Sequence, residues 1–302
     1  MADISASLVK ALREKTNAGM MDCKKALTET AGDIEAAVDW LRKKGLAAAA
    51  KRSGRVASDG LIGLAVDGAR GAVVEINSET DFVARNAVFQ DFVVNVAKIA
   101  CALQVDTEAL RQAAWPATGR TIAEELTHLA ATIGENITLR RSECVAVEQG
   151  VIAAYMHNAQ GPGIGKIGVL VAIAAERVDA AVQDLGKKIA MHVAAANPLA
   201  VSRADVAADA LERERSVLVE QARGTGKPEA VIQKMVEGRI GKFYEEACLL
   251  EQAFVMDPQT KVGALIEAAG KDLGCRLEVR RFIRFALGEG IAASADAASV
   301  AA

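Results

Sequence analysis

The run Gly71-Ala72-Val73-Val74-Glu75-Ile76, followed by Thr80-Asp81-Phe82-Val83-Ala84-Arg85-Asn86, joins a strand to a helix and decides how the rest of the chain is read. The first part is short, apolar and rich in valine and isoleucine, a strand pattern. Beyond the second part Val88, Phe89, Phe92, Val93, Val96 and Ile99 recur at the three-and-four spacing of one buried helix face. Phe82 is expected at the first turn of that helix, beside Asp81, where side chains can project past the packed layer. A purely local reading makes Thr80 or Asp81 the helix cap and Phe82 its hydrophobic staple. The competing reading makes Asp81 and Phe82 an exposed functional pair on a bend.

Working outward, the pattern returns. Gly71–Ile76 is similar to Gly168-Val169-Leu170-Val171-Ala172-Ile173, and Gly134-Glu135-Asn136-Ile137-Thr138-Leu139-Arg140-Arg141 is similar to Gly274-Cys275-Arg276-Leu277-Glu278-Val279-Arg280-Arg281. In each half a hairpin comes first, helices follow, and a last strand returns to the sheet. The chain is therefore expected to be α+β, with two related subdomains at 59–149 and at 150–202 plus 248–291. The second is longer, and the excess falls at 203–247. Ser202 to Gln221 and Glu229 to Leu249 read as helices around the breaker-rich turn Gly224-Thr225-Gly226-Lys227-Pro228. Val206, Ala210, Val217, Ile232, Val236, Ile240 and Phe243 give apolar seams, predicting an inserted antiparallel helical hairpin. Two helices alone make a thin core, so an arm that associates with another molecule is weighed against one folded on its own domain.

The first 50 residues read as a three-helix domain. Leu8, Val9 and Leu12 mark the first helix, and Asn17-Ala18-Gly19 breaks it. Asp22 is expected to cap the second, which carries Ala26 and Leu27. Asp33 is expected to cap the third, with Ile34, Ala37, Val38 and Leu41 on one face and Gly45 as its stop. Residues 51–58 form a basic, polar linker, and residues 292–302 an alanine-rich tail.

Composition narrows the functional classes. The chain has 302 residues, 51% hydrophobic and only 4% aromatic, enough for two or three small-residue cores. Its net charge of −3 lacks the basic footprint of a general nucleic-acid binder. Arg140-Arg141 and Arg280-Arg281 read as strand ends and not as a phosphate track. No apolar run is long enough to span a membrane, and no leader pattern precedes the first helix. Cys23, Cys101, Cys144, Cys248 and Cys275 are scattered without metal-ligand spacing, as expected of free thiols in a reducing cytosol. Gly161-Pro162-Gly163-Ile164-Gly165-Lys166 lacks the phosphate-loop spacing and leads into a strand, so it reads as a flexible hairpin loop. His128 and His192 lie within helical patterns and read as structural or surface residues.

Three blocks carry a resemblance. Thr80–Asn86, the run Leu12-Arg13 through Thr16 and Gly19-Met20-Met21-Asp22-Cys23 to Leu27, and Met235–Arg239 with Phe254-Val255-Met256-Asp257-Pro258 resemble, in order, signatures of bacterial elongation factor Ts. That family comprises nucleotide exchange factors of elongation factor Tu. The resemblance implies a ubiquitin-associated-like N-terminal domain, a core of two subdomains and a hairpin at 203–247 used in association, with a second copy of the chain or with the partner. It implies that Thr80, Asp81, Phe82 and Val83 enter elongation factor Tu near its magnesium and guanine-nucleotide phosphates. It also implies contacts from Arg13, Met20, Met21 and His157, although pattern alone would let the two methionines fill a core. Asn17 stands where the family has glycine, the loop 158–165 is longer, and the C-terminal module is reduced to 292–302. The implied protein is cytoplasmic, performs no covalent chemistry, needs no cofactor or metal, and binds elongation factor Tu with GDP or without nucleotide. Direct contact with nucleic acid or membrane is not implied. The alternatives are a ubiquitin-associated-type adaptor without exchange activity and a nucleotide-using enzyme, which would need a phosphate loop.

Overall fold

A computed structural model describes residues 4–16, 18–224 and 228–291, a mixture of helices and strands with a helical region at the N-terminus. Asn17, the turn residues 225–227 and the tail 292–302 lie outside the described residues, and with them the expectations placed there.

Helices α1 (Ala6–Thr16), α2 (Met20–Glu29) and α3 (Ile34–Arg52) enclose a small core of Val9, Leu12, Cys23, Ala26, Leu27 and Ala37. Asp33 caps α3 by accepting from the Ala36 N–H. Asp22 caps nothing: Gly19 is the N-cap of α2, and the Asp22 carboxylate instead pairs with Lys44 at 2.7 Å. Gly45 does not stop α3, which runs on to Arg52 and so takes in the first residues of the expected linker. A Cβ at Gly45 would lie 2.8 Å from the Cβ of Ala131. The glycine is there for close approach of two helices, and a helix interior tolerates it at about 1 kcal/mol.

The core begins with β1 (Asp59–Asp67) and β2 (Arg70–Ser78), an antiparallel hairpin. Helices α4 (Ala87–Leu103), α5 (Thr107–Gln112) and α6 (Ile122–Ile133) follow, and β3 (Thr138–Ala146) returns beside β2. Strands β4 (Gly150–His157), β5 (Ile164–Gly165) and β6 (Ile167–Ala175) lead to α7 (Ala180–Ala196). Next come α8 (Ala208–Arg223) and α9 (Glu229–Ala247), the small hairpin β7 (Ala253–Phe254) and β8 (Asp257–Lys261), α10 (Val262–Leu273) and β9 (Leu277–Ala286). Among the described residues one sheet has the order β3-β2-β1-β5, a second β4-β6-β9, and β7 with β8 makes a third of two strands.

Irregularities fall at equivalent places in the two sheets. The β2–β3 ladder shifts register between Glu75 and Ile76, and the β6–β9 ladder between Ala172 and Ile173. The arginine doublets sit at these bulges, not at strand ends. Gly60 and Gly150 have φ of +120° and +144°, and a Cβ on either would strike the backbone of Ile76 or Ile173. Only glycine permits so close a strand crossing. The loop before β6 is not free, because β5 pairs with β1 at Ile62 and Gly63 and ties the second hairpin to the first sheet.

Helices α8 and α9 have their own core of Leu218, Ala222, Ile232, Val236 and Ile240, and α8 packs chiefly against α9. Ser202 starts a short 3₁₀ turn rather than the helix, and Val217 points outward while Leu218 takes the seam. At the base of α9, buried His192 faces Gln252 at 2.8 Å, and its Nδ1 accepts from the Val255 N–H at 3.2 Å. Burial lowers the pKa of this imidazole, and the ring is no surface residue, being buried with both nitrogens engaged. Cys23, Cys101 and Cys248 are buried, and all five thiols are free.

Candidate functional site

The corner between β2 and α4 occupies residues 79–86, whereas its counterpart between β6 and α7 needs only 176–179. In the counterpart Asp179 caps α7 directly. Here Asn86 does that for α4, accepting from the Val88 and Phe89 N–H groups, which leaves room ahead of it for a 3₁₀ turn, Val83–Arg85. Neither Thr80 nor Asp81 is the cap, and Phe82 precedes the helix instead of lying in its first turn.

The side chains of this turn divide sharply. Val83 and Ala84 are 5% and 1% exposed and lie in the main core with Phe89 and Phe92. Phe82 is 75% exposed. A staple would be covered, so the local reading fails. Backbone bonds from the Arg85 N–H to Phe82 O (3.1 Å) and from the Asn86 N–H to Val83 O (2.9 Å) close the turn. Gln90 Nε2 donates to Ala84 O at 2.8 Å. Asp81 and Arg85 form an exposed pair at 3.2 Å, which is weak in water and easily surrendered to a stronger cation. Thr80 is half-buried, and its N–H and hydroxyl both donate to Glu135. Of the four expected contact residues, Asp81 and Phe82 therefore face outward, while Thr80 and Val83 hold them there.

The other candidates sit elsewhere. Arg13 is exposed near the end of α1, and Met20 and Met21, at 60% and 75% exposure, open α2 without filling the small core. His157 is exposed at the end of β4, with its Nδ1 3.2 Å from the Tyr155 hydroxyl. Among the described residues no hydrogen bond or ion pair links these groups to one another or to Phe82. They are exposed side chains on different elements, a pattern suited to a large partner and unlike an enclosed small-molecule site. Among the described residues no group of three or more His, Cys, Asp and Glu side chains could hold a metal, and no helix is long and apolar enough to cross a membrane.

Sequence reasoning missed two carboxylates. Glu135 was legible only as part of a repeated strand entry, and Glu75 only as a strand residue. Glu75 is fully buried, with Arg140 at 2.9 Å, Arg141 at 2.6 Å, Asn77 at 3.1 Å and the Gly288 N–H at 2.9 Å. A charged residue in an otherwise apolar strand was the available signal, since such a group is buried only when paired.

A family model described as Elongation factor TS matches residues 79–289 of this chain. The chain is 62% identical over 292 residues to Elongation factor Ts of Rhodospirillum rubrum, an alignment covering 96% of this chain and 94% of that protein. It is 60% identical over 303 residues to Elongation factor Ts of Rhodospirillum centenum, covering 100% and 99%. Identity to the protein of that name from Paramagnetospirillum magneticum is 59% over 291 residues, covering 96% and 93%.

Proposed function

Because the chain belongs to the elongation factor Ts family, and so among the translation elongation factors of protein biosynthesis, we propose that it is the guanine nucleotide exchange factor of elongation factor Tu. It binds its partner with GDP or without nucleotide, in the cytoplasm, and makes or breaks no covalent bond. The observation that carries the reading is Phe82, an aromatic side chain left 75% exposed on a turn whose next two residues are buried. Aromatic side chains are enriched where proteins meet, and this one stands on a turn fixed from beneath by buried Val83 and Ala84.

The chemistry follows from what holds GDP in such partners. Magnesium bridges the phosphates and a loop hydroxyl, so disturbing its ligands loosens the nucleotide. A nucleotide bound at nanomolar strength is held by about 12 kcal/mol. Burying one phenylalanine yields about 1.5–3 kcal/mol. Phe82 alone therefore cannot evict GDP. It acts with loss of the metal and with a wider interface to which Arg13, Met20, Met21 and His157 contribute. Linkage requires that GDP weaken this protein's binding by the same factor by which the protein weakens GDP.

Stopped-flow release of a fluorescent GDP from elongation factor Tu tests the proposal. Acceleration by catalytic amounts of this chain is the expected result. Binding without acceleration would leave the adaptor reading, and nucleotide binding by the chain alone would favour an enzyme. Asp81→Ala is expected to slow release mainly through magnesium, because its carboxylate stands beside Phe82 and, among the described residues, pairs with an exposed arginine. Its defect should shrink when a chelator has already removed the metal; a defect of equal size in both conditions contradicts the magnesium role.

The domain division belongs to the same proposal: a ubiquitin-associated-like unit at 1–50, a linker at 51–58 whose first two residues finish α3, related core units at 59–149 and at 150–202 with 248–291, an association arm at 203–247 and a tail at 292–302. What supports the arm is its separate core and the outward-facing Val217 and Val231. Replacing 203–247 by a short loop is expected to change the sedimentation of the chain or the stability of its complex. Identical values for both would argue against an association role.

A further inference from the structure

The outward pair Asp81–Phe82 is held by a carboxylate from a different element. Helix α6 ends at Gly134, whose φ of +89° is a left-handed conformation suited to glycine, and the chain turns so that Glu135 reaches the β2–α4 corner. Glu135 Oε2 accepts from the Thr80 N–H at 3.0 Å and Oε1 from the Thr80 hydroxyl at 2.6 Å. Next to it the bonds run the other way, as Glu79 Oε1 accepts from the Asn136 N–H at 2.7 Å. The corner and the α6–β3 connection are thus laced together by three hydrogen bonds with two carboxylates as acceptors, the stronger kind.

The lacing extends to the N-terminal helices. Glu79 also pairs with Arg55 at 3.2 Å. Asn136 Nδ2 donates to Arg55 O at 2.7 Å and to Ser53 O at 3.4 Å, just beyond α3. The other core unit shows what the fold alone requires. There α10 ends at Gly274, again left-handed with φ of +62°, but Cys275 and Arg276 follow where Glu135 and Asn136 stand. The turn needs neither an acid nor an amide. The corner that carries an exposed phenylalanine has both.

We propose that Glu135 is the positioning residue for the Asp81–Phe82 wedge, holding it rigid for nucleotide release, and that Asn136 registers the same corner to the end of the N-terminal helical unit. This rests on the exchange reading above. A wedge that swings freely loses its conformational freedom on insertion, whereas a clamped one has lost it during folding. Removing the clamp therefore weakens the step in which the wedge enters, more than it weakens first contact with the partner.

The test uses the full chain and elongation factor Tu loaded with fluorescent GDP, with Glu135→Ala, Glu135→Gln, Thr80→Val and the double variant Glu135→Ala/Thr80→Val. Glu135→Ala is expected to lower the exchange rate at saturation about tenfold, as loss of a charge-assisted hydrogen bond implies. The concentration for half-saturation should change less. Hydrogen–deuterium exchange should quicken at the 80–85 amides while the β2 and α4 amides keep their rates. Glu135→Gln retains most activity, because its amide can accept from the Thr80 N–H and donate to the hydroxyl. The double variant should be little worse than Glu135→Ala alone. A Glu135→Ala protein with full exchange rate and unchanged 80–85 amides overturns the proposal, as does a glutamine variant as slow as the alanine one. If Phe82→Ala exchanges at the wild-type rate, the exchange reading falls and takes the exchange role of Glu135 with it. The amide measurement then separates that failure from a failure of the clamp itself.

Discussion

Replacing Glu75 by glutamine is expected to destabilise the folded chain by about 3 kcal/mol, the largest effect on stability we foresee for a single near-isosteric change. The side chain has no solvent exposure, and its two oxygens face Arg140, Arg141, Asn77 and the Gly288 N–H. Glutamine keeps the shape but leaves two guanidinium groups without their carboxylate. The figure belongs at the low end for a broken buried pair because Arg140 and Arg141 are about a quarter to a third exposed and retain some hydration. The site also joins distant parts of the chain. Arg141 Nη2 donates to Ala286 O at 3.2 Å and Arg140 Nη2 to Glu289 O at 2.6 Å, while the Arg141 guanidinium lies 4.0 Å over the Phe285 ring. Losing Glu75 therefore loosens the end of β9 from the first sheet.

The same carboxylate sets an acid limit. Burial raises its pKa, but the Gly288 N–H, Arg141, Arg140 and Asn77 together outweigh burial and hold it below the usual glutamate value. A group whose pKa is lower when folded contributes its stability in full above the unfolded value, about 4.3, and loses it as pH falls through the folded value. Urea unfolding at pH 7 should show the large gap between wild type and Glu75→Gln. The gap should narrow when the pH is taken below about 4. Equal midpoints at pH 7 would show that the arginines need no anion there.

Much of this architecture could be read from the residues because two periodicities were clean. The strand run Gly71–Ile76 and the helix face Val88 to Ile99 lie in β2 and α4. The resemblance between Gly168–Ile173 and the first run corresponds to β6, with a register shift at the equivalent residue. Errors arose where a residue type has two uses. Gly45 read as a helix stop because glycine often ends helices, yet its reason is Ala131 on another helix, which no local pattern reveals. Asp22 read as a cap, and long-range pairing with Lys44 took it instead. Asp81 and Phe82 stood out in the sequence, but their support did not. Glu135 is far away along the chain, and a carboxylate that serves a distant backbone N–H carries no periodic mark.

Phe82→Ala is expected to slow nucleotide release roughly 30-fold, equivalent to about 2 kcal/mol of wedge burial that the variant no longer gains. The substitution should leave the fold unharmed. Phe82 is 75% exposed, and the turn is held by burial of Val83 and Ala84 and by the Asn86 cap. Folding stability should thus stay within about 0.5 kcal/mol of wild type, as for ordinary surface changes. That contrast with Glu75→Gln, which acts on stability and not on the wedge, separates the two roles.

The decisive measurement is the release rate of fluorescent GDP from elongation factor Tu at saturating concentrations of wild type and of Phe82→Ala, so that weaker association cannot account for any difference. A variant that saturates its partner yet releases GDP at least tenfold more slowly is the predicted result. A variant that saturates and releases GDP as fast as wild type would contradict the account.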